Sequence, residues 1–179
     1  MATLFVDKLD PQSGTALEIG SSGDTITIPS GATITNNGTQ TGFGGVNTPT
    51  FRVSGPNLSV AHNTTTKCTV NTEVFDVGGC FDLGGNDRFT PNVSGKYLII
   101  ARLEMPSATN TDYFLTVFYK NGGSIGGPAI VNRDYQGTFA AQLVEANGSS
   151  DYFEVYTQQQ SGGSLNISLQ EFSGFKLIE

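Results

Sequence analysis

The chain has 179 residues with a formal net charge of −7, and its nine lysines and arginines are scattered. No basic stripe is available to neutralise phosphates, which argues against nucleic-acid binding. There is no run of about twenty apolar residues, which argues against membrane insertion. Only 14% of residues are charged, and glycine is abundant at 23 residues. With many Ser, Thr and Asn and no sustained helical period, this is the composition of turn-rich β-structure. The fold class expected is all-β.

The N-terminus, MATLFVDKLDPQ, is too short and acidic for a secretory leader. The expectation is a protein made in a host cytoplasm and not exported by the general secretory route. Residues 1–45 then differ from the rest. Three short β-like pieces recur, Leu17–Ile19, Thr25–Ile28 and Ala32–Thr35, separated by Gly20–Asp24, Pro29–Gly31 and Asn36–Gly38. Each piece exposes one thin apolar ridge, too little to offset the entropy of ordering it alone. Copies wound together, or docking on a partner, would supply the missing surface. The segment resembles short N-terminal pieces of bacteriophage appendage proteins and is read as an anchor or stalk.

After a Gly-rich hinge at 42–47, residues 46–179 are read as one domain. Strands are expected at Thr50–Ser54, Lys67–Val70, Val74–Phe75, Phe81, Lys96–Glu104, Tyr113–Lys120, Ala129–Asn132, Thr138–Glu145, Tyr152–Thr157, Leu165–Leu169 and Phe172–Ile178. Gly, Asn and Ser punctuate them as in a sandwich. Cys68 and Cys80, without metal-type spacing, are expected as buried reduced thiols. His62, in a polar loop, is expected to be solvated rather than a catalytic base.

The run Phe89–Arg102 sends Tyr97, Ile99 and Ala101 to one face and Leu98, Ile100 and Arg102 to the other. Gly95 suits a tight entry turn. The spacing Phe89, Gly95, Tyr97, with Ile99 where an aromatic is usual, resembles the signature of the complement C1q globular-head family within the C1q and tumour-necrosis-factor jelly-roll group. Phe172–Ile178 resembles that family's closing motif, and Asn71–Asp76 with Phe81 its preceding segment. The resemblance covers residues 50–179 and implies a C1q/TNF-like jelly-roll β-sandwich that assembles as a homotrimer. Some such heads hold calcium through loop acids, for which Asp82 and Asp87 are the equivalent positions. Turn capping is the favoured role for these acids, and no metal or cofactor is expected.

The strand Tyr113–Lys120 is apolar on both faces, with Tyr113, Leu115, Val117 and Tyr119 on one and Phe114, Thr116 and Phe118 on the other. One face can fill a core while the other needs a second partner, so Tyr113, Phe114, Leu115, Val117, Phe118 and Tyr119 are the candidate trimer-interface residues. No nucleophile elbow, HExxH or phosphate loop occurs, and no enzyme is expected. Tyr135 and Gln158, Gln159 and Gln160, placed on outer loops, are candidates for host-surface recognition through stacking and hydrogen bonds to glycans. The functional expectation is a structural virion protein of a bacteriophage, a trimeric fibre, spike or head-surface appendage joined to other virion proteins through its N-terminal segment. The alternatives are a capsid-decorating trimer without a receptor and a free C1q-like lectin.

Overall fold

The computed structural model describes residues 7–38, 47–105, 113–131 and 137–177. The chain divides into two units, Met1–Thr41 and Gly42–Glu179. In the first, residues 7–38 run extended between turns. Asp24 N donates to Ser21 O at 2.9 Å while Ser21 N donates to Asp24 Oδ2 at 2.7 Å. A second turn is closed by Ala32 N on Pro29 O at 3.1 Å. The three pieces expected as β-like form no strand ladder among the described residues, and Leu17, Ile19, Ile26, Ile28 and Ile34 are all exposed. Extended backbone is present; the pairing that would make it a sheet is not.

The second unit is all-β. Its strands are β1 (Thr50–Ser54), β2 (Asn57–Val60), β3 (Thr66–Lys67), β4 (Thr72–Val77), β5 (Phe81–Asp82), β6 (Arg88–Phe89), β7 (Ser94–Glu104), β8 (Tyr113–Lys120), β9 (Gly123–Val131), β10 (Gly137–Asn147), β11 (Phe153–Gln160) and β12 (Leu165–Lys176). One six-stranded sheet has the order β10-β7-β12-β1-β4, with β2 also on β12. The other has the order β5-β6-β11-β8-β9, with β3 also on β11. Within both sheets the ladders are antiparallel, and from β7 onward the chain crosses repeatedly between sheets, giving a jelly roll.

The two expected strands at the C-terminus are one. A bulge between Leu169 and Glu171 lets β12 continue past Gln170. Strand β9 begins six residues before the expected Ala129, because its Gly-rich start takes its register from β8 through a bulge at Thr116/Phe118. Strands β2 and β6 were not expected. Gly95 lies inside β7 with φ +141° rather than in a turn, and its missing Cβ leaves room for the Lys176 side chain.

The core fills the space between the sheets. Phe51 lies 4.5 Å from Phe89 and 5.1 Å from Phe81 by ring centroid, and Phe172 meets Phe51 edge-on at 4.9 Å. Such offset and edge contacts are the favoured aromatic arrangements. Tyr97 is fully buried and its hydroxyl donates to Val93 O at 2.6 Å. Gly174 faces inward, where a Cβ would stand 3.0 Å from the Phe51 ring and 3.1 Å from Ile99, so the closing motif needs Gly there to let β12 approach the core. Across the core, the hydroxyls of Thr116 on β8 and Thr138 on β10 hydrogen-bond to each other and tie the two sheets.

Candidate interaction surfaces

Alternation sends half of each strand outward, and the two outer faces differ. On the first sheet, cross-strand register places Leu143, Leu98, Phe175, Thr50 and Val77 in one row. The next row is Ala141, Ile100, Ser173, Arg52 and Phe75. Phe139 and Leu143, on the edge strand β10, are 65% and 66% exposed. Strand β9 of the second sheet packs alongside β10 and exposes Ile130 on the face it shares with Leu115. On the far edge, β4 exposes Val74, Phe75 and Val77. Charged residues share this face: Arg52 pairs with Glu171 at 3.5 Å, Arg102 pairs with Glu104, and Lys96 stands opposite Glu145.

The outer face of the second sheet is aromatic and polar. Along β8 and β11 the facing pairs are Tyr119 with Glu154, Val117 with Tyr156, Leu115 with Gln158, and Tyr113 with Gln160. Tyr119 and Tyr156 stack with centroids 4.0 Å apart. Burial and the neighbouring Glu154 charge raise the Tyr156 phenol above its ordinary pKa. Glu154 is itself paired with Lys67 on β3. At the other end, Asn63 takes a left-handed φ of +57°. Its Oδ1 accepts from Gln158 Nε2 at 2.9 Å, Gln160 Nε2 at 3.0 Å and Tyr113 Oη at 3.5 Å.

This arrangement separates the expected interface residues. Phe114 and Phe118 are 1% and 3% exposed and belong to the chain's own core, so they are removed from any surface set. Tyr113, Leu115, Val117 and Tyr119 stand on the outer face, with Val117 nearly covered. Gln158–Gln160 lie in β11 rather than in a loop. Gln159 points inward and is fully buried, its Nε2 donating to Val60 O at 2.8 Å and Gly163 O at 2.7 Å. A side chain committed to two backbone carbonyls in the interior cannot reach a receptor. Tyr135 lies outside the described residues.

The remaining polar residues are used locally. Asp82 Oδ2 accepts from Asn86 Nδ2 at 2.6 Å, and Asp87 Oδ1 from Gly84 N at 3.1 Å, which is turn capping. No group of three or more metal-type side chains occurs among the described residues. His62 Nδ1 accepts from Gly162 N at 3.0 Å, pinning one loop to another. Both cysteines are free and buried; burial alone pushes the Cys68 thiol up to about 12. Burial, then a hydrogen bond to Asp76 and the charge of that carboxylate, raises the Cys80 thiol as well. Asp151, after β10, accepts from Asn121 Nδ2 at 2.8 Å and from Asn147 N at 2.9 Å, and pairs with Lys120 at 2.9 Å. These contacts, that with Asn121 foremost, hold its carboxyl below the ordinary range. The bonds to Asn121 and Asn147 reach both sheets. The roles of Asp151 and Asn63 depend on partners 30 to 97 positions away, which local sequence does not show.

No protein-family model and no curated protein matches the chain. Solved structures do. Murine APRIL is 15% identical, with 72% of this chain and 98% of that chain covered and a TM-score of 0.52. The globular domain of zebrafish complement 1qA is 13% identical, with 72% and 97% covered and a TM-score of 0.54. PRD1 vertex protein P5 is 20% identical, with 74% and 99% covered and a TM-score of 0.54. At these identities the likeness is one of fold: the chain carries a C1q/TNF-like jelly-roll head.

Proposed function

We propose that this chain is a structural, non-catalytic virion protein of a bacteriophage. It works as a homotrimeric fibre, spike or head-surface appendage, with residues 1–45 as the stalk or anchor to other virion proteins and the head directed at the host surface. The observation that carries the reading is the apolar outer face of the first sheet, with Phe139 and Leu143 about two-thirds exposed beside Leu98, Ile100 and Phe175. A lone sandwich would solvate that face; patches of this kind mark protein interfaces. The apolar surface runs from one edge, at Phe139 and Leu143, across the sheet to Phe75 and Val77. An edge packing on a neighbour's face is a heterologous contact, which closes into a ring when its rotation divides a full turn. The three-fold number comes from the C1q resemblance.

The trimer interface is accordingly assigned to the first sheet and its β10 edge, rather than to β8. The virion setting is supported by the likeness to PRD1 vertex protein P5. Three heads on one particle site would convert weak individual contacts into avidity.

Light scattering of the purified chain tests the assembly: a mass of three chains is expected, and a stable monomer would overturn it. Electron microscopy of particles carrying a labelled copy tests the location. Label on the particle surface is expected, and its absence from virions would end the virion reading. The second reading is a decorating trimer with no receptor. Blocking the head and measuring adsorption separates the two, since a purely decorating trimer would leave adsorption unchanged.

A further inference from the structure

The two outer faces suit different partners, and only the first suits a second copy of the chain. The second sheet's outer face offers phenol rings, primary amides and a few branched side chains. Near Asn63, among the described residues, it carries no ion pair: Tyr113, Gln158, Gln160, Asn63, Leu115 and Ile130 are all uncharged. The polar groups there are pre-positioned, because Asn63 Oδ1 gathers donors from three side chains on two strands, β8 and β11. With that oxygen occupied, Asn63 Nδ2 and Gln160 Oε1 have no hydrogen-bond partner among the described residues. Planar amides presenting both donor and acceptor beside amphipathic rings match a sugar ring, which pairs apolar C–H faces with hydroxyls that both donate and accept.

We propose that this patch is a subsite for a neutral oligosaccharide, with Tyr113 and Leu115 as the floor and Asn63, Gln158 and Gln160 as the hydroxyl-binding groups. The inference rests on the host-attachment reading and names its ligand class and location. Neutrality follows from charge: the chain carries −7, and among the described residues the cationic side chains on this face, Lys67 and Arg88, are already engaged by Glu154 and the Tyr152 ring. An acidic glycan would meet net repulsion and, among the described residues, no free cation to receive it. The patch lies on the opposite sheet from the face assigned to trimerisation, so both can be used at once.

Side-chain amide resonances in nitrogen-15 spectra of the full-length protein provide the test. The probes are maltohexaose and chitotetraose as neutral ligands and sialyllactose as an acidic one. At least one neutral probe is expected to shift the Asn63, Gln158 and Gln160 amide signals saturably. Gln158→Ala combined with Gln160→Ala should weaken that binding by about tenfold or more, equivalent to a tenfold rise in Kd. Tyr113→Phe, which removes a single hydroxyl and keeps the ring, should fold normally and weaken binding less. The proposal is overturned if no neutral probe moves these signals, if only the acidic probe does, or if the double variant binds as the parent does. Adsorption decides the attachment reading separately. Particles whose heads are blocked by antibody but still adsorb would refute attachment even where the purified head binds sugar. If blocking stops adsorption but the double variant adsorbs normally, the subsite is wrong and attachment stands.

Discussion

The two outer faces of the sandwich are written with the same alternation yet have opposite chemistry. On the first sheet the outward residues of β7, β10 and β12 include Leu98, Ile100, Phe139, Leu143 and Phe175. On the second sheet those of β8 and β11 include Tyr113, Tyr119, Tyr156, Gln158 and Gln160. An apolar face lowers its free energy by excluding water against another protein surface, at roughly 25 cal/mol per Å² buried. An aromatic-amide face gains less from burial and more from directed hydrogen bonds. One strand pattern therefore yields an assembly surface and a recognition surface back to back.

The largest effect should come from breaking what the faces share. Phe172 on β12 is 1% exposed and meets the rings of Phe51, Phe81 and Phe118 between the sheets. Phe172→Ala should cost about 3–5 kcal/mol and lower the midpoint of thermal or urea unfolding. A midpoint unchanged within error would mean the sheets are held chiefly by something other than this cluster.

Next is the face-specific change. Phe139→Glu with Leu143→Glu places two carboxylates on the apolar edge without touching the core, since both side chains are exposed in the single chain. The mass in solution should fall from three chains to one, with the circular dichroism of the head retained. The same exchange on the second sheet, Tyr113→Glu, should leave the mass unchanged. If Tyr113→Glu dissociates the assembly and the β10 pair does not, the two faces have been assigned the wrong way round.

Much of the sandwich was legible because strands buried on one side must alternate. The bounds of β1 and β8 agree with expectation, and Tyr97, Ile99 and Ala101 are fully buried as their spacing requires. What alternation leaves open is which of two apolar faces looks inward. In β8 the sequence reads apolar on both sides, and only the packing of Phe118 toward Phe172 shows which side is core. Gln159 reads as surface because the carbonyls that bury it belong to Val60, 99 positions back, and to Gly163. Strand β2, Asn57–Val60, carries little strand propensity of its own and exists through its ladder on β12. The ridge of Leu17, Ile19, Ile26, Ile28 and Ile34 was visible in the sequence, but a single chain gives it nothing to cover it.

A smaller effect should appear where the two sheets are joined. Asp151 follows β10 and precedes β11, and its carboxylate binds the Asn121 side chain, the Lys120 ammonium and the Asn147 amide. These partners favour the charged form and lower its folded pKa. A depressed pKa means the unfolded chain takes up the proton first. The contribution is thus present above the unfolded value, near 3.9, and is lost as pH falls through the lower folded value. Asp151→Asn should reduce stability at neutral pH and flatten the acid limb of the stability curve below about pH 4. An acid limb as steep as the parent's would assign that loss to other carboxylates.

The smallest effect concerns the interior that both faces cover. Cys68 is wholly buried and its thiol is pushed up to about 12, so almost no thiolate exists at neutral pH. Cys80, raised by burial and by Asp76, is protected in the same direction. Neither thiol should react with iodoacetamide at pH 8 in the folded head, and both should react once it is unfolded. Because that protection comes from the single chain's own core, the Phe139→Glu/Leu143→Glu variant should remain unlabelled even as a monomer. Labelling of that monomer would mean assembly also seals the interior, which would make the apolar face part of the core rather than a surface laid over it.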